Sequence, residues 1–375
     1  MQQNKLHIVS FDIPDPPDYG GAIDVFYKIK ALAAQGAEIY LHCFSYGRKE
    51  SELLKSICKE VWYYPRKTGF KSLSIKLPYI VASRKDKALL KRLTDIDAPI
   101  LFEGVHTSYY LNHPSLAHRK KAIRVHNIEH EYYRHLSQKE TNTFRQLYFS
   151  TESRLLRYYE GALQHAQYFF PLSLTDTAFF KQQYPSAICE FIAPFQQFDT
   201  VKILEGTGDY ILYQGNLSHP ENKEAVLFLL KEVFPKVNVP VVIAGRKPAY
   251  AITSLARSLS NCTLIADPSQ EQMQQLIQNA QIHILPTFQS TGMKLKLLYV
   301  LFAGRHVLVN DLMLHGTGLE ECCIVANSAS DMIQKINSYK SIPFSAQQIE
   351  ARKQALMHHY SNSINAQRLL TYLLH

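Results

Sequence analysis

The feature that most constrains the fold is a repeated alternation of short apolar segments with longer segments of helical periodicity. The apolar segments end in polar or glycine-bearing loops, and apolar residues then recur at helical spacing. Strands that alternate with helices favour parallel sheets joined by right-handed crossovers. The predicted strands lie at residues 6–11, 38–43, 100–103, 122–125, 168–171, 210–213, 240–245, 282–285 and 306–310. The sequence therefore predicts an α/β chain.

The alternation is interrupted once, over residues 194–208, a loose stretch with a proline and two glycines. A chain of 375 residues is long enough for two domains. We therefore predict two doubly wound, Rossmann-like domains, residues 1–195 and 196–350, that face a central cleft. Ligands of open parallel sheets bind at the carboxyl ends of the strands, so the polar loops there form the candidate site.

Composition argues against several classes of protein. There is no run of about 18 apolar residues, so no transmembrane helix is expected. The first residues lack the apolar core of a signal peptide, and the six cysteines form no C-x-x-C pair, which indicates a reducing cytoplasm. The net charge of +9 suits an anionic ligand, a nucleic acid or an acidic membrane face. No nucleic-acid-binding module is recognisable, so nucleic acid is not an expected partner.

Two loops of the first half follow predicted strands and carry candidate binding residues. Gly20 and Gly21 precede a helix, where glycines allow close approach of a ligand and the helix start favours an anion. The G-x-G-x-x-G of dinucleotide sites is absent, and an ordinary βα turn is the alternative. Glu103 ends the strand before His106, and its carboxylate could hold a hydroxyl or could form a salt bridge within the loop.

The second half places three cations directly after predicted strands. Lys294 and Lys296 lie in Thr291-Gly292-Met293-Lys294-Leu295-Lys296, a glycine-bearing loop that opens an apolar helix. Backbone N–H groups, a helix dipole and point charges are what a diphosphate needs. Arg246 follows another strand and could bind the same anion bidentately. Solvated surface charges are the alternative for all three.

The segment from His126 to His130 reads H-x-x-E-H, an inverted zinc-protease signature. A zinc site needs both imidazoles on one helix face, but His126 ends the predicted strand 122–125, so the two should diverge. We therefore expect no metal here, and a zinc hydrolase stays open as a less favoured alternative. A neutral His126 facing the cleft could bond a sugar hydroxyl or carry a proton. A packing or capping histidine is the other alternative.

Residues 66–92 form a basic stretch with aromatic and aliphatic side chains between the charges. It holds nine lysines and arginines and one acid, Asp86. Such a mixture can lie on an anionic membrane, where each cation contributes about 1 kcal/mol. A solvated face of the first domain is the alternative. Peripheral contact of this stretch with the inner face of a membrane is therefore an expectation.

Four segments, taken with their order and spacing, carry a resemblance to a known family. They are residues 16–21, 126–129, 215–222 and 291–296, with Gly304 downstream. Over nearly its whole length the chain resembles the GT-B glycosyltransferases, in particular the family-4-like group that uses nucleotide-sugar donors. The resemblance implies that the C-terminal domain binds the donor and the N-terminal domain the acceptor. It also implies that the last helix, residues 350–375, packs back on the first domain.

The resemblance further implies roles for individual residues. His126 would lie beside the transferred sugar and, with Arg246 and Lys296, form the catalytic set. The donor diphosphate would be met by glycines and cations, namely Gly20, Gly21, Arg246, Lys294 and Lys296. The remaining donor-binding candidates are Gly215, Asn216, Thr291, Gly292 and Met293. The acceptor-side candidates are Glu103, His106, Asn127 and Glu129.

The chain departs from the family in one place. Many members begin the helix after the Gly-Lys loop with a glutamate that grips the ribose, and here Tyr299 holds that place. Thr291 and Tyr299 occupy the two positions of the E-x7-E signature. This departure weakens ribose recognition and keeps a non-catalytic GT-B protein that binds nucleotide or glycan as an alternative. A sugar-nucleotide epimerase is a further, less favoured one.

Lys294 and Lys296 of the Gly-Lys loop are present as in the resembled family, so the sequence predicts an enzyme. It would move a hexosyl group from a UDP-sugar or GDP-sugar to a saccharide or lipid-linked acceptor of a bacterial surface polysaccharide. The candidate loops hold no Asp-x-Asp for a metal, so cations and backbone N–H groups must meet the charge of the departing diphosphate. No metal and no cofactor beyond the donor is expected. The resemblance suggests that the anomeric configuration is retained.

Overall fold

The computed structural model describes residues 4–289 and 294–374. This described chain divides into two compact units. The first unit holds residues 4–197 and 359–374, and the second holds residues 198–289 and 294–358. Each unit is built on one parallel sheet, which confirms the predicted α/β fold class. Within the described residues, no helix combines the length and apolar character needed to cross a bilayer.

The sheet of the first unit has seven parallel strands among the described residues, in the order β3-β2-β1-β4-β5-β6-β7. Their bounds are β1 (Lys5–Ser10), β2 (Glu38–Ser45), β3 (Glu60–Pro65), β4 (Ile100–Glu103), β5 (Lys121–Val125), β6 (Tyr168–Pro171) and β7 (Ile188–Cys189). Strand order reverses between β1 and β4, the kind of position at which doubly wound sheets bind ligands.

The helices of this unit follow their strands in alternation. They are α1 (Gly20–Ala34), α2 (Glu52–Ile57), α3 (Tyr79–Ala82), α4 (Lys87–Asp95), α5 (Glu129–Lys139), α6 (Thr143–Tyr159) and α7 (Leu174–Gln183). Helix α6 begins where Asn142 Oδ1 accepts a hydrogen bond from the Arg145 N–H at 3.1 Å. Such an N-cap satisfies one of the free N–H groups of a helix start and separates α6 from α5.

The sheet of the second unit has six parallel strands among the described residues, in the order β10-β9-β8-β11-β12-β13. Their bounds are β8 (Ile211–Asn216), β9 (Val241–Arg246), β10 (Cys262–Ala266), β11 (Ile282–Leu285), β12 (His306–Val309) and β13 (Ile324–Val325). The helices are α8 (Pro220–Phe228), α9 (Tyr250–Ser258), α10 (Gln270–Asn279), α11 (Leu295–Ala303), α12 (Asp311–Leu314), α13 (Ala329–Tyr339) and α14 (Ala346–Tyr360). β8 lies between β9 and β11, so strand order reverses here too.

The last helix, α15 (Asn362–Leu374), belongs to the first unit. Its Leu369 and Leu373 are fully buried in the same apolar cluster as Ile29 and Leu32 of α1. Burial of one leucine side chain contributes about 1.5–3 kcal/mol, so this helix is an integral part of the unit's core. Val9 of β1 enters one apolar cluster and Leu6 and Ile8 enter another, so this strand is covered on both of its faces.

Candidate active site

The loop between β1 and α1 is held by an arginine that the sequence analysis did not single out. The Arg48 guanidinium donates to the Pro16 carbonyl at 2.6 Å, pairs with Asp18 and lies 4.9 Å from the centroid of the Tyr19 ring. Helix α1 then begins at Gly20. Its first N–H groups follow an ordered loop after β1, and a helix N-terminus favours an anion.

Gly21 lies tight against the Phe11 ring. A Cβ atom at this position would lie 2.6 Å from Phe11 Cζ. The Phe11 ring in turn packs against two imidazoles, with centroids 5.4 Å from His106 and 5.3 Å from His126. The missing side chain therefore lets the first loop close against the histidines that follow β4 and β5.

Five side chains form a charge cluster near this edge of the sheet: Asp24, Lys28, Glu103, Arg124 and His126. Lys28 Nζ lies 2.9 Å from Asp24 Oδ2 and 2.8 Å from Glu103 Oε1. Arg124 binds Asp24 with two donors, Nη2 to Oδ1 at 2.8 Å and Nε to Oδ2 at 3.1 Å. His126 Nε2 lies 3.2 Å from Glu103 Oε2. The cluster thus links α1, β4 and β5 through ion pairs.

The charge cluster balances its own charge, with Asp24 and Glu103 against Lys28 and Arg124. Burial works to raise the pKa of Asp24, but Arg124 and Lys28 hold that pKa well below its ordinary value. The remaining Arg124 donors reach the carbonyls of residues 192 and 193, at 2.5 and 3.0 Å. Buried ions are tolerated when they are paired and hydrogen-bonded in this way.

His126 is the member of the charge cluster nearest to solvent, with 11% of its side chain exposed. A carboxylate only accepts hydrogen bonds, so the contact with Glu103 assigns the proton to Nε2. In the neutral form of the ring, Nδ1 is then the acceptor. Glu103 therefore orients the imidazole, and its other nitrogen can accept a hydrogen bond from a hydroxyl.

The structure brings His106 close to His126 through their shared contact with Phe11. His106 Nδ1 is buried and has no hydrogen-bond partner among the described residues. Burial lowers the pKa of His106 well below its ordinary value, so the ring is neutral at physiological pH. Glu103, His106 and His126 are thus brought together at one edge, as expected for candidates that follow neighbouring strands.

Glu129 starts α5 and is 3% exposed. Burial raises the pKa of Glu129 to about 8, and the Asn127 side chain offsets part of this rise by a hydrogen bond. At neutral pH this carboxyl is therefore largely protonated and can donate a hydrogen bond. A perturbed acid of this kind is a recurring property of functional sites.

The raised pKa of Glu129 predicts a pH-dependent stability. In the unfolded chain this carboxyl ionises near its ordinary pKa, so the folded state holds more protons between about pH 4.5 and 8 and loses stability as pH rises through that window. Glu129→Gln removes this loss. We expect the variant to exceed the wild type by on the order of 1–4 kcal/mol at pH 8 and to gain less at pH 5. Urea unfolding at both pH values measures this, and Glu131→Gln on the same helix should show no such trend.

The two histidines of the H-x-x-E-H segment are held by different partners. His130 Nδ1 lies 2.7 Å from Glu160 Oε1, whereas His126 lies against Glu103. Within the described part of the chain, Asp24, Glu103 and His126 could together ligate a metal ion, and His130 is not in that group. Lys28 Nζ already lies between the two carboxylates of the group. The geometry therefore gives no support to zinc chemistry through His126 and His130.

An Asp-x-Asp does occur outside the candidate loops, at Asp95-Ile96-Asp97. It begins at the last residue of α4 and precedes β4, at the amino end of that strand. Asp95 lies 3.0 Å from Lys91 Nζ, and Asp97 pairs with Arg119. These carboxylates are therefore away from the carboxyl edge of the sheet and are matched by cations of their own.

In the second unit, both predicted lysines are held at the start of α11. Lys294 is the N-cap residue of this helix, and its Nζ lies 3.1 Å from Glu221 Oε1 of α8. The Thr287 hydroxyl donates to the same Glu221 oxygen at 2.6 Å. Lys296 Nζ donates to Asn222 Oδ1 at 2.8 Å. The two lysines therefore converge on neighbouring residues of α8.

Burial sets the electrostatics of this lysine pair. It lowers the pKa of Lys296 to about 8, although Glu221 acts in the opposite direction. Burial also works to raise the pKa of Glu221, but Lys294, Thr287 and Lys296 bring it below its ordinary value. Lys296 is therefore a desolvated cation at neutral pH, and its attraction for an added anion is stronger than in water.

Arg246 is exposed at the end of β9 and lies opposite Asn216 in the β8–β9 ladder. The Asn216 carbonyl accepts from Asn222 Nδ2 at 3.0 Å, which connects this loop to the residue that holds Lys296. Gly245 allows the strands to approach, because a Cβ there would lie 1.8 Å from the carbonyl oxygen of Gly215. The predicted donor residues of β8 and β9 thus lie on one edge with α8.

Thr291, Gly292 and Met293 lie outside the described residues. Tyr299 lies on α11, and its ring packs edge-to-face on Phe198 with centroids 5.0 Å apart. The residue that stands in place of a glutamate is therefore part of an aromatic contact.

Several residues that hold these sites together have no role that was predicted from the sequence. In the second unit they are Glu221, Asn222 and Thr287, and in the first Asp24, Lys28 and Arg124. A signal exists for the first unit, because Asp24 and Lys28 lie four apart on the otherwise apolar face of α1. Thr287 contacts Glu221 across 66 residues of sequence, so spacing carries no such signal there.

Comparison with known proteins finds one relative by sequence and several by fold among the matches considered. No protein-family model matches the chain. An uncharacterised 44.6 kDa protein in the cps region of Klebsiella pneumoniae is 26% identical over 371 residues, covering 91% of this chain and 94% of that protein.

Solved structures resemble the chain more in shape than in sequence. A glycosyltransferase from Rickettsia africae has a TM-score of 0.64 at 12% identity, and the alignment covers 99% of this chain and 98% of that chain. HepE from Anabaena in complex with UDP has a TM-score of 0.63 at 11% identity, with 98% of both chains covered. TarM has a TM-score of 0.56 at 14% identity, and the chain spans 56% of its length and aligns over 76% of its own. Likeness at this level of identity shows the fold, and the chain therefore has the GT-B fold of glycosyltransferases.

Proposed function

We propose that the protein is a glycosyltransferase that moves a hexosyl group from a UDP-sugar or GDP-sugar to a saccharide or lipid-linked acceptor. The observation that carries the proposal is the lysine pair of the second unit, held by Glu221 and Asn222 at the start of α11. In a GT-B fold of the family-4-like kind, this is where a donor diphosphate is expected. HepE, which shares the fold, was solved with UDP bound.

The chemistry of the leaving group explains why cations are needed. When the bond to the sugar breaks, negative charge grows on the β-phosphate oxygens of the nucleoside diphosphate. Lys294, Lys296 and Arg246 outnumber Glu221, so an excess of positive charge is available to meet it. We propose that this charge, with backbone N–H groups, replaces a metal ion, and that removal of metals with a chelator leaves transfer unchanged.

We propose that His126 acts beside the transferred sugar. Its Nε2 proton is directed to Glu103, so Nδ1 can accept a hydrogen bond from a sugar hydroxyl and fix the ring. Gly20 and Gly21 would approach the diphosphate at the start of α1, while His106, Asn127 and Glu129 would contact the acceptor. The family-4-like resemblance supports retention of the anomeric configuration.

A nucleotide screen tests the proposal. Saturating UDP or GDP is expected to raise the melting temperature by roughly 3–8 °C, since a ligand that binds only the folded state stabilises it. Differential scanning fluorimetry with UDP, GDP, ADP and CDP measures binding and base preference together. Lys296→Ala should lose the shift, and Lys236→Ala, an exposed lysine of the same unit, should keep it. Absence of any shift in the wild type would contradict donor binding.

Tyr299, which stands where many members of the resembled family have a ribose-binding glutamate, favours one second candidate, a non-catalytic protein that binds nucleotide or glycan. In that case nucleotide would still stabilise the chain, but no sugar would be released or transferred. Incubation with the donor that gives the largest shift, followed by chromatography for free nucleoside diphosphate, separates the two. Release above that of Lys296→Ala rejects the non-catalytic candidate.

We also propose a setting for the reaction at the inner face of a membrane, in the assembly of a surface polysaccharide. The Klebsiella relative is a protein in a cps region, which supports this acceptor class. The cations of residues 66–92 support contact with acidic lipid.

A further inference from the structure

Helix α6 exposes an unusual set of large apolar side chains. Phe144 is 84% exposed, Leu147 68% and Tyr158 83%, and Tyr148 is also exposed. Their spacing places these four side chains within one stripe along the helix. Isolated exposed apolar residues are ordinary, but several of them on one face of a helix mark an interaction surface.

The same helix carries only positive charge on its exposed surface. Its single acidic residue, Glu152, is buried and accepts a hydrogen bond from the Tyr79 N–H at 2.8 Å. Arg154 and Arg157 are exposed on one flank of the stripe, and Arg145 lies near its start, 3.8 Å from Glu140. The stripe is thus bordered by arginines.

A second segment adds apolar groups near α6. The bond from Tyr79 to Glu152 joins the end of the 73–79 segment to the middle of α6. Within that segment Leu73 is exposed and Ile75 is 91% exposed, and Lys76 lies beside them. We call Phe144, Leu147, Tyr148 and Tyr158, with the bordering arginines, the α6 surface.

Two cations of the basic stretch 66–92 are engaged within the fold. Arg84 is buried and donates to the carbonyls of Phe11 and Ile80, at 2.9 and 2.7 Å. The Arg92 guanidinium stacks on Trp62 at 4.6 Å from the ring centroid. The basic character of this stretch therefore serves packing in part, while its Lys67, Lys76, Lys85, Lys87 and Lys91 remain exposed.

We propose that the α6 surface docks the protein on a bilayer that contains anionic lipid. Exposed leucine and phenylalanine side chains can enter the acyl boundary, while arginines reach lipid phosphates and tyrosines lie among the headgroups. Charge complementarity favours this occupant over a second copy of the chain. In a symmetric pair, α6 would face α6, and the arginines would meet arginines.

Vesicle sedimentation without nucleotide tests the proposal independently of the proposed transferase activity. The wild type should bind vesicles made of a mixture of phosphatidylglycerol and phosphatidylcholine. Its affinity for vesicles of pure phosphatidylcholine should be lower by at least roughly tenfold. Phe144→Ser/Leu147→Ser should lower binding to anionic vesicles by about tenfold or more. Leu53→Ser, an exposed leucine of α2, should bind as the wild type does.

A double charge-reversal variant separates electrostatic docking from non-specific hydrophobic adsorption. Arg154→Glu/Arg157→Glu should lose binding to anionic vesicles, and Arg257→Glu, also in the last turn of a helix, should keep it. Unchanged melting temperatures confirm that these surface variants fold. Three results would overturn the proposal: no vesicle binding by the wild type, equal binding by wild type and α6 variants, or a dimer by light scattering that the variants abolish while vesicle binding is unaffected.

Discussion

Replacement of Lys296 by alanine is expected to lower kcat/KM for sugar transfer by about 10²- to 10³-fold. The physical reason is that a desolvated ammonium beside the departing diphosphate stabilises charge that water would otherwise have to meet. Lys296 is suited to this because burial lowers its pKa to about 8, which leaves it charged at neutral pH and held by Asn222 at 2.8 Å.

The measurement is steady-state transfer or donor hydrolysis with the sugar nucleotide that stabilises the protein most. Lys236→Ala should stay within about twofold of the wild type, since an exposed lysine paired with Glu232 does not face the anion. A Lys296→Ala enzyme as active as this control would show that the lysine pair is a surface feature.

Replacement of Arg124 by methionine is expected to destabilise the protein by about 3–5 kcal/mol, the largest stability change that we predict. The substitution leaves Asp24 buried with one cation fewer and frees the carbonyls of residues 192 and 193. Acidification should then reduce the difference in the free energy of unfolding between the wild type and Arg124→Met. A carboxyl with a depressed folded-state pKa contributes stability above its unfolded pKa and loses it as pH falls, here below about pH 4.

Urea unfolding monitored by circular dichroism measures this change. The matched control is Arg368→Met, which removes a half-exposed pair with Glu190 at 2.6 Å in the same unit and should cost at most about 1 kcal/mol. Equal losses for the two variants would mean that the charge cluster is not tightly coupled. A soluble but inactive Arg124→Met protein would not bear on this prediction, which concerns stability.

The sequence predicted the interior of both sheets and missed their edges. Central strands such as β5 and β11 are buried on both faces, so their apolar runs are conspicuous. β10 is an edge strand whose residues are partly exposed, and β7 and β13 are two residues long. Such segments lack the continuous apolar pattern on which the prediction depends.

The candidate site likewise contains residues that could be predicted from the sequence and residues that could not. Lys294 and Lys296 were identified because a glycine-bearing loop before an apolar helix is a local pattern. The partners that hold them were not, because Glu221 lies more than 70 residues earlier and only the fold brings it within 3.1 Å of Lys294. The role of Arg124 could not be predicted for a related reason. Arg124 lies in an apolar strand, and its partner Asp24 is 100 residues away in the sequence.

The central claim is that cations of the second unit bind a nucleoside diphosphate, and isothermal titration calorimetry tests it most directly. Titration of UDP and of GDP into the wild type should give saturable binding of one nucleotide, and Lys296→Ala should weaken it by about tenfold or more. Lys236→Ala should leave the affinity unchanged. Absence of binding by either nucleotide, or equal affinities for the wild type and Lys296→Ala, would contradict the account.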